Sequence, residues 1–172
     1  MTRGTTMTQA LHIERVFDAP RELVWKAFTD PDEVAQWFGP VGYHVPRESV
    51  EIDLRVGGIF KLEMVPDTDE YPPAGESSGT VVEVVENELL VSEEKIEGEM
   101  VEFFGADLIR MRLELHDEPG GRTRVVLDQG PYGEAILGDA KAGWERRSPS
   151  SLLKILGVSA GVPSLPGGTF TT

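Results

Sequence analysis

Between residues 50 and 128 the hydrophobic pattern repeats every second residue, and this period limits what the chain can fold into. In "SVEIDLRV", Val50, Ile52, Leu54 and Val56 alternate with Glu51, Asp53 and Arg55. "IFKLEMV" returns with Phe60, Leu62 and Met64 against Lys61 and Glu63, and Gly57-Gly58 between the two predicts a tight hairpin turn. "TVVEVVE" and "ELLVSEEKI" read as the next strands, joined near Asn87. "DLIRMRLELH" places Ile109, Met111, Leu113 and Leu115 opposite Arg110, Arg112, Glu114 and His116, and "RTRVVLDQ" follows the turn "DEPGG". The longer "PDTDEYPPAGESSG" (66–79) has no period and is expected to be a loop. Strands joined by short connections pair antiparallel. Alternation then leaves one sheet face wet and the other apolar, and the apolar face needs a cover.

The flanks supply candidates for that cover. "LHIERVF" (11–17) suits a first strand with Ile13 and Phe17 buried. "APRELVWKAFT" (19–29) is a helix opened by Pro20, and "DPDEVAQWFGP" (30–40) is a second, shorter one. In it Asp30 caps, Val34, Trp37 and Phe38 share a face, and Gly39-Pro40 forbids continuation. Residues 133–156 recover a helical period through Ile136, Ala140, Trp144, Leu152, Ile155 and Leu156. Pro149 interrupts it, with Ser148 placed to cap a second piece. Only this segment is long enough to lie across the sheet. The expected architecture is α+β: a curved antiparallel sheet of about seven strands wrapped around a long C-terminal helix, with two short helices after strand 1. Trp37 and Phe38 then plug the open end of the space between sheet and helix. Residues 1–10 read as a loose arm, 11–156 as the domain, and 157–172, rich in Gly, Pro, Ser and Thr, as a tail without regular structure.

Composition removes several classes of function. With no cysteine, disulfides, thiolate catalysis and thiolate metal sites are excluded. The net charge of -14, from 30 acidic against 16 basic residues, repels phosphate backbones, so no nucleic-acid partner is expected. No apolar run reaches membrane-spanning length and the start "MTRGTTMTQA" lacks a secretory core, so a cytoplasmic location without membrane insertion is the expectation. His12, His44 and His116 are scattered without a partner at ligand spacing, and no metal or cofactor is expected. "G-x-S-x-G" is absent, and "VGG" lacks the rest of a dinucleotide fingerprint. No catalytic signature is present.

Five pieces occur in an order that carries a family resemblance: "VFDAPRELVWKAFTDPDEVAQWFGP", "DLRVGGIFKLEM", "GTVVEVVENELLV", "DEPGGRTRVVL" and "GDAKAGW". Over residues 11–156 the chain resembles the activator of heat-shock protein 90 ATPase homologue-like family of the START-like (SRPBCC) superfamily. The resemblance implies the helix-grip, birch pollen allergen-like fold and a hydrophobic cavity between sheet and helix, used for lipids, polyketides or other apolar molecules. One departure stands out: "GWERRSPSSLLKIL" inserts Ser-Pro-Ser-Ser where the family continues an uninterrupted helix.

On these grounds the expected cavity lining is Trp37, Phe38, Leu54, Phe60, Leu62, Met64, Met111, Leu113, Gly143 and Trp144. The same aromatics and methionines would serve equally as plain core filling. The first functional reading is binding of a small apolar or amphipathic molecule. A second is a co-chaperone acting on a heat-shock protein 90-type ATPase, although the stretch before residue 11 is too short for the extra N-terminal domain of the eukaryotic activators. A third is an enzyme of the polyketide cyclase kind, for which Tyr43, Asp53, Arg55 and Tyr132 are the polar candidates.

Overall fold

The structure, a computed structural model, describes residues 9–38, 42–71, 75–134, 136–138 and 141. Its elements are β1 (Gln9–Phe17), α1 (Arg21–Thr29), α2 (Pro31–Trp37), β2 (Tyr43–His44), a 3-10 turn (Arg47–Ser49), β3 (Glu51–Ile52), β4 (Ile59–Pro66), β5 (Gly75–Val85), β6 (Leu89–Lys95), α3 (Glu99–Phe104), β7 (Leu108–Glu118) and β8 (Arg122–Tyr132). The strands form one eight-stranded sheet in the order β1-β8-β7-β6-β5-β4-β2, with β3 also against β4. From β4 to β8 each strand pairs antiparallel with its successor, as the short connections require. β1 joins the far edge by pairing with β8.

Register explains the core. Ile13, Leu127, Leu113 and Leu90 stand opposite one another across four strands, and none is more than 8% exposed. Val125 and Leu115 extend the same face, and Val24, Trp25, Ala27 and Phe28 of α1 join these residues in one apolar cluster. A second cluster of Val34, Val45, Val50 and Leu62 sits under α2 and the adjoining edge of the sheet. Phe38 and Phe60 pack against both clusters. β5 carries a bulge between Val81 and Glu83. The extra residue lets Val81 and Val84, three positions apart, both pack against the main core.

The opposite face is a field of charge. Arg112 pairs with Glu114 and, more distantly, Glu83, while Arg124 bridges Glu14 and Glu118 across three strands. His12 meets Asp128 at 2.6 Å and His116 meets Glu114 at 3.0 Å. The first contact joins neighbouring strands, whereas Glu114 and His116 lie two residues apart on β7. The Arg112 hydrogen bond holds the Glu114 carboxyl below its ordinary range, and Glu114 in turn raises the Arg112 guanidinium. These groups are largely solvated, so each pair contributes little to stability.

The two short helices follow their sequence signals. Asp30 caps α2, its side chain accepting from the amides of Asp32 and Glu33, with Pro31 opening the helix. Val34 is fully buried and Trp37 is 4% exposed. The Gly39-Pro40 stop lies outside the described residues. Glu134, residues 136–138 and Lys141 have helical backbone, with Ile136 and Leu137 against the main cluster. The remaining expectations for the C-terminal segment fall outside the described residues: Ala140, Gly143, Trp144, the Pro149 interruption, Leu152, Ile155, Leu156 and the tail.

Three expectations need correction. The strand read over 49–56 is only β3, Glu51–Ile52, and Val56 is 69% exposed. The chain turns earlier because the Asp53 amide donates to Ile59 O and the Gly58 amide to Arg55 O. A Cβ at Gly58 would lie 2.1 Å from the Asp53 carbonyl, so that tight path needs glycine. The loop read over 66–79 is shorter, since β5 begins at Gly75 and pairs with β4 from Met64 onward. The acidic run "SEEKIEGEMVE" (92–102), whose charges predict a solvated strand and turn, leads into α3, which starts at Glu99 and ends at Gly105 in the left-handed conformation. Tyr43–His44 is a short edge strand against Val65 and Pro66.

Thr123 ties β8 to the start of α1: it is fully buried and donates to Ala19 O at 2.7 Å. Thr123→Val keeps the shape and leaves that carbonyl without its donor. The expected loss is about 1–3 kcal/mol, read as a lower urea midpoint with an unchanged denaturant slope.

Candidate functional site

The inward face of the sheet changes character along its strands. Toward the β1-β8-β7-β6 centre it is aliphatic and closed. Toward the far end, large and small residues face each other. Phe60, Leu62 and Met64 of β4 stand opposite Gly79, Ser77 and Gly75 of β5. A Cβ added at Gly79 would make only ordinary van der Waals contacts, so sterics do not demand glycine there. Glycine there leaves the space of one methyl group, bounded by the Ser92 side chain and the backbones of Phe60 and Glu93.

Polar groups line the same region. Ser92 shares a row with Val81 and Met111, and Gln129 continues that row to Leu11. Two residues along β6, Glu94 stands opposite buried Ile109. Its carboxylate accepts from the Ser77 hydroxyl at 2.9 Å and from the Ser78 amide at 3.0 Å. Tyr132, at the end of β8, is 6% exposed and packs against Phe104 of α3 with ring centroids 6.3 Å apart. Gly133 N donates to Phe104 O at 2.8 Å, which ties α3 to this end of the sheet. Burial pushes the Tyr132 phenol well above the ordinary tyrosine range, and the nearby Glu94 charge adds to the effect.

Of the expected lining residues, Trp37 and Leu113 belong to the main cluster, with Phe38, Leu54, Phe60 and Met111 packed against it half-buried. Leu62 belongs to the second cluster, and Met64 packs on its edge. Trp37 is anchored: its indole N–H donates to Ala27 O at 2.7 Å, and its ring meets Phe28 edge-on at 5.2 Å. Its tilted contact with Phe38, at 5.4 Å, holds that ring beside the interior. Gly143 and Trp144 lie outside the described residues.

Among the polar candidates, Arg55 is spent on Asp53 at 2.7 Å in an exposed turn, and Tyr43 packs on Tyr71 at the sheet edge. Only Tyr132 enters the interior. Reasoning from sequence missed Ser77, Ser92 and Glu94 as part of this region. For Ser92 and Glu94 the signal was present: in "LLVSEEK" they occupy the positions two and four after Leu90, which alternation turns inward.

An open depression of about 500 Å³ lies at the Glu88–Asp117 end of the sheet, lined by Arg21, Arg112, Arg124 and His116 with Glu88, Glu114 and Asp117. Its arginines already pair with neighbouring acids, Arg21 with Glu88 and Asp117. Among the described residues no group of His, Cys, Asp or Glu is placed to hold a metal ion, and no helix is long and apolar enough to cross a membrane.

An open antiparallel sheet whose apolar face is covered by short helices at one end, with the chain returning as helix after the last strand, defines a START-like, helix-grip domain. The family model described as Activator of Hsp90 ATPase homolog 1-like protein matches residues 18–157, and the chain belongs to that family. Solved structures agree on the fold. The AHSA1-like protein from Aeromonas hydrophila is 22% identical with a TM-score of 0.68, covering 90% of this chain and 98% of its own. Protein CV1439 from Chromobacterium violaceum is 24% identical with a TM-score of 0.66, covering 86% and 93%. CalU16 from Micromonospora echinospora is 25% identical with a TM-score of 0.56, covering 87% and 74%. No curated protein matches the chain.

The raised Tyr132 phenol has a definite sign in stability. Its folded-state value exceeds the ordinary 10.0, so the contribution is intact below that pH and is lost as pH rises above it. Between the unfolded and folded values this one group reduces stability by about 1.4 kcal/mol per pH unit. Tyr132→Phe is expected to flatten that part of the alkaline profile in chemical denaturation, and to remove the last phenolate absorbance to appear in an alkaline titration.

Proposed function

We propose that the chain binds one small amphipathic molecule on the inward face of its sheet, between β4–β8 and the C-terminal segment. The observation that carries this reading is the incomplete burial of Phe38, Leu54, Phe60, Met64 and Met111 on the face where a packed core would seal them. Glycine at position 79, which sterics do not demand, supports it. Affinity comes from covering these side chains at roughly 25 cal/mol per Å² of apolar area, with few polar contacts fixing orientation. Met64 and Met111 suit the task because an unbranched thioether adjusts to the shape it meets. Gly143 and Trp144 belong to the proposed lining on the side of the C-terminal segment.

The family description names activation of a chaperone ATPase, and the superfamily also includes cyclases. No feature among the described residues favours either reading over binding: the polar candidates Asp53 and Arg55 face outward in a turn.

The neutral dye Nile red is expected to bind with one-to-one stoichiometry and blue-shifted emission. Met111→Trp, which fills the space from the β7 side, is expected to weaken it at least tenfold while unfolding stays cooperative. Native mass spectrometry of the purified protein is expected to show a co-purifying molecule. An absence of dye uptake, together with a mass equal to the bare chain, overturns the proposal.

A further inference from the structure

The polar groups at the far end of the inward face have a pattern of their own. Tyr132 and Ser92 are 6% and 8% exposed, and neither hydroxyl makes a hydrogen bond to another described residue. Yet among the described residues no sealed side-chain nitrogen or oxygen lacks a partner. Each hydroxyl therefore keeps some accessible surface. A largely buried hydroxyl that has no protein partner yet keeps accessible surface can take its bond from water or from a bound molecule.

Glu94 supplies the charge. Its two oxygens take the Ser77 hydroxyl and the Ser78 amide, and a carboxylate with about four acceptor sites retains capacity after those bonds. It stands on the inward face opposite Ile109, and the next residue of β7, Arg110, stands opposite Gly130, two residues before Tyr132. No arginine, lysine or histidine of the described residues pairs with it, whereas Glu93, on the other side of the same strand, is taken by Arg110. The region thus offers one carboxylate without a cationic partner among the described residues and two hydroxyls, with Met111 opposite Ser92 and Phe104 against Tyr132.

Resting on the binding reading above, we infer that Glu94, Ser92 and Tyr132 form a recognition subsite for the polar head of the ligand. The head is a hydrogen-bond donor: an alcohol or an ammonium group, not a carboxylate. Glu94 accepts from it, the Tyr132 hydroxyl donates to an alcohol oxygen, and the apolar part of the molecule lies along Phe60 and Met111. A carboxylate or sulfonate head would meet the Glu94 charge at low local dielectric, where like charges are costly.

Displacement of Nile red by dodecan-1-ol, dodecylammonium and dodecanoate, each below its micelle concentration, tests the assignment. The wild-type protein is expected to release the dye at concentrations at least tenfold lower for the alcohol and the ammonium than for dodecanoate. Glu94→Gln should close the gap between ammonium and dodecanoate by about tenfold or more, and Tyr132→Phe should weaken the alcohol selectively. Glu93→Gln removes the same charge from the outer face and should leave the ranking unchanged, which separates the subsite from general attraction to an acidic protein. Equal or better displacement by dodecanoate in the wild type, or equal effects of Glu93→Gln and Glu94→Gln, overturns the subsite alone. Failure of Nile red to bind at all overturns the binding reading and the subsite with it.

Discussion

The pairing of the first strand with the last holds the structure together. β1 and β8 are separated by the whole meander, yet Ile13 faces Leu127 and Phe17 faces Thr123 in a nearly continuous antiparallel register. That register completes the aliphatic row from Ile13 to Leu90 and fixes where α1 sits, because Thr123 holds the Ala19 carbonyl at the helix entrance. Once α1 is placed, Trp37 can reach the Ala27 carbonyl, and α2 lies over the second cluster. Each later feature of the inward face is positioned by this chain of contacts.

The sheet was legible because alternation survives in the sequence wherever one face is wet. β4, β6, β7 and β8 all show it, and their inward residues fall where period two puts them. The short helices were legible through their caps: Asp30 has the side chain, and Pro31 the fixed angle, that a helix start needs. The errors have separate causes. Leu54 and Val56 continue the alternating pattern of β3, but backbone hydrogen bonds among Asp53, Arg55 and Gly58 turn the chain first. Alternation reports side-chain preference and carries no record of such backbone bonding. Gly75 to Gly79 look like loop because glycine and serine score poorly as strand formers, yet β4 and the Glu94 carboxylate supply partners that the local sequence does not reveal. α3 is six residues long, too short for a period to be recognised among its acids.

The candidate site was half legible for a related reason. Its apolar part, Phe38, Leu54, Phe60, Met64 and Met111, follows from asking which large side chains turn inward. Its polar part consists of residues that look like interruptions of a strand: a serine and a glutamate in β6, and a tyrosine at the end of β8. An inward polar residue reads as noise until register shows several of them converging. A chain under selection for packing alone has no reason to keep hydroxyls inside with no partner, since replacing them with apolar groups removes a desolvation penalty.

The position of β1 also bears on how the polypeptide acquires its shape as it leaves the ribosome. Strands β4 to β8 each find a neighbour within a few tens of residues, so hairpins can form in succession as they emerge. β1 emerges before all of them and must wait for residues 122–132 before its edge is satisfied. Through most of synthesis, the α1 surface bearing Val24, Trp25 and Phe28 has no completed sheet to rest on. Such late closure between distant parts slows assembly and prolongs the exposure of sticky surface. The nascent protein is therefore most vulnerable to wrong partners before its last strand has been made.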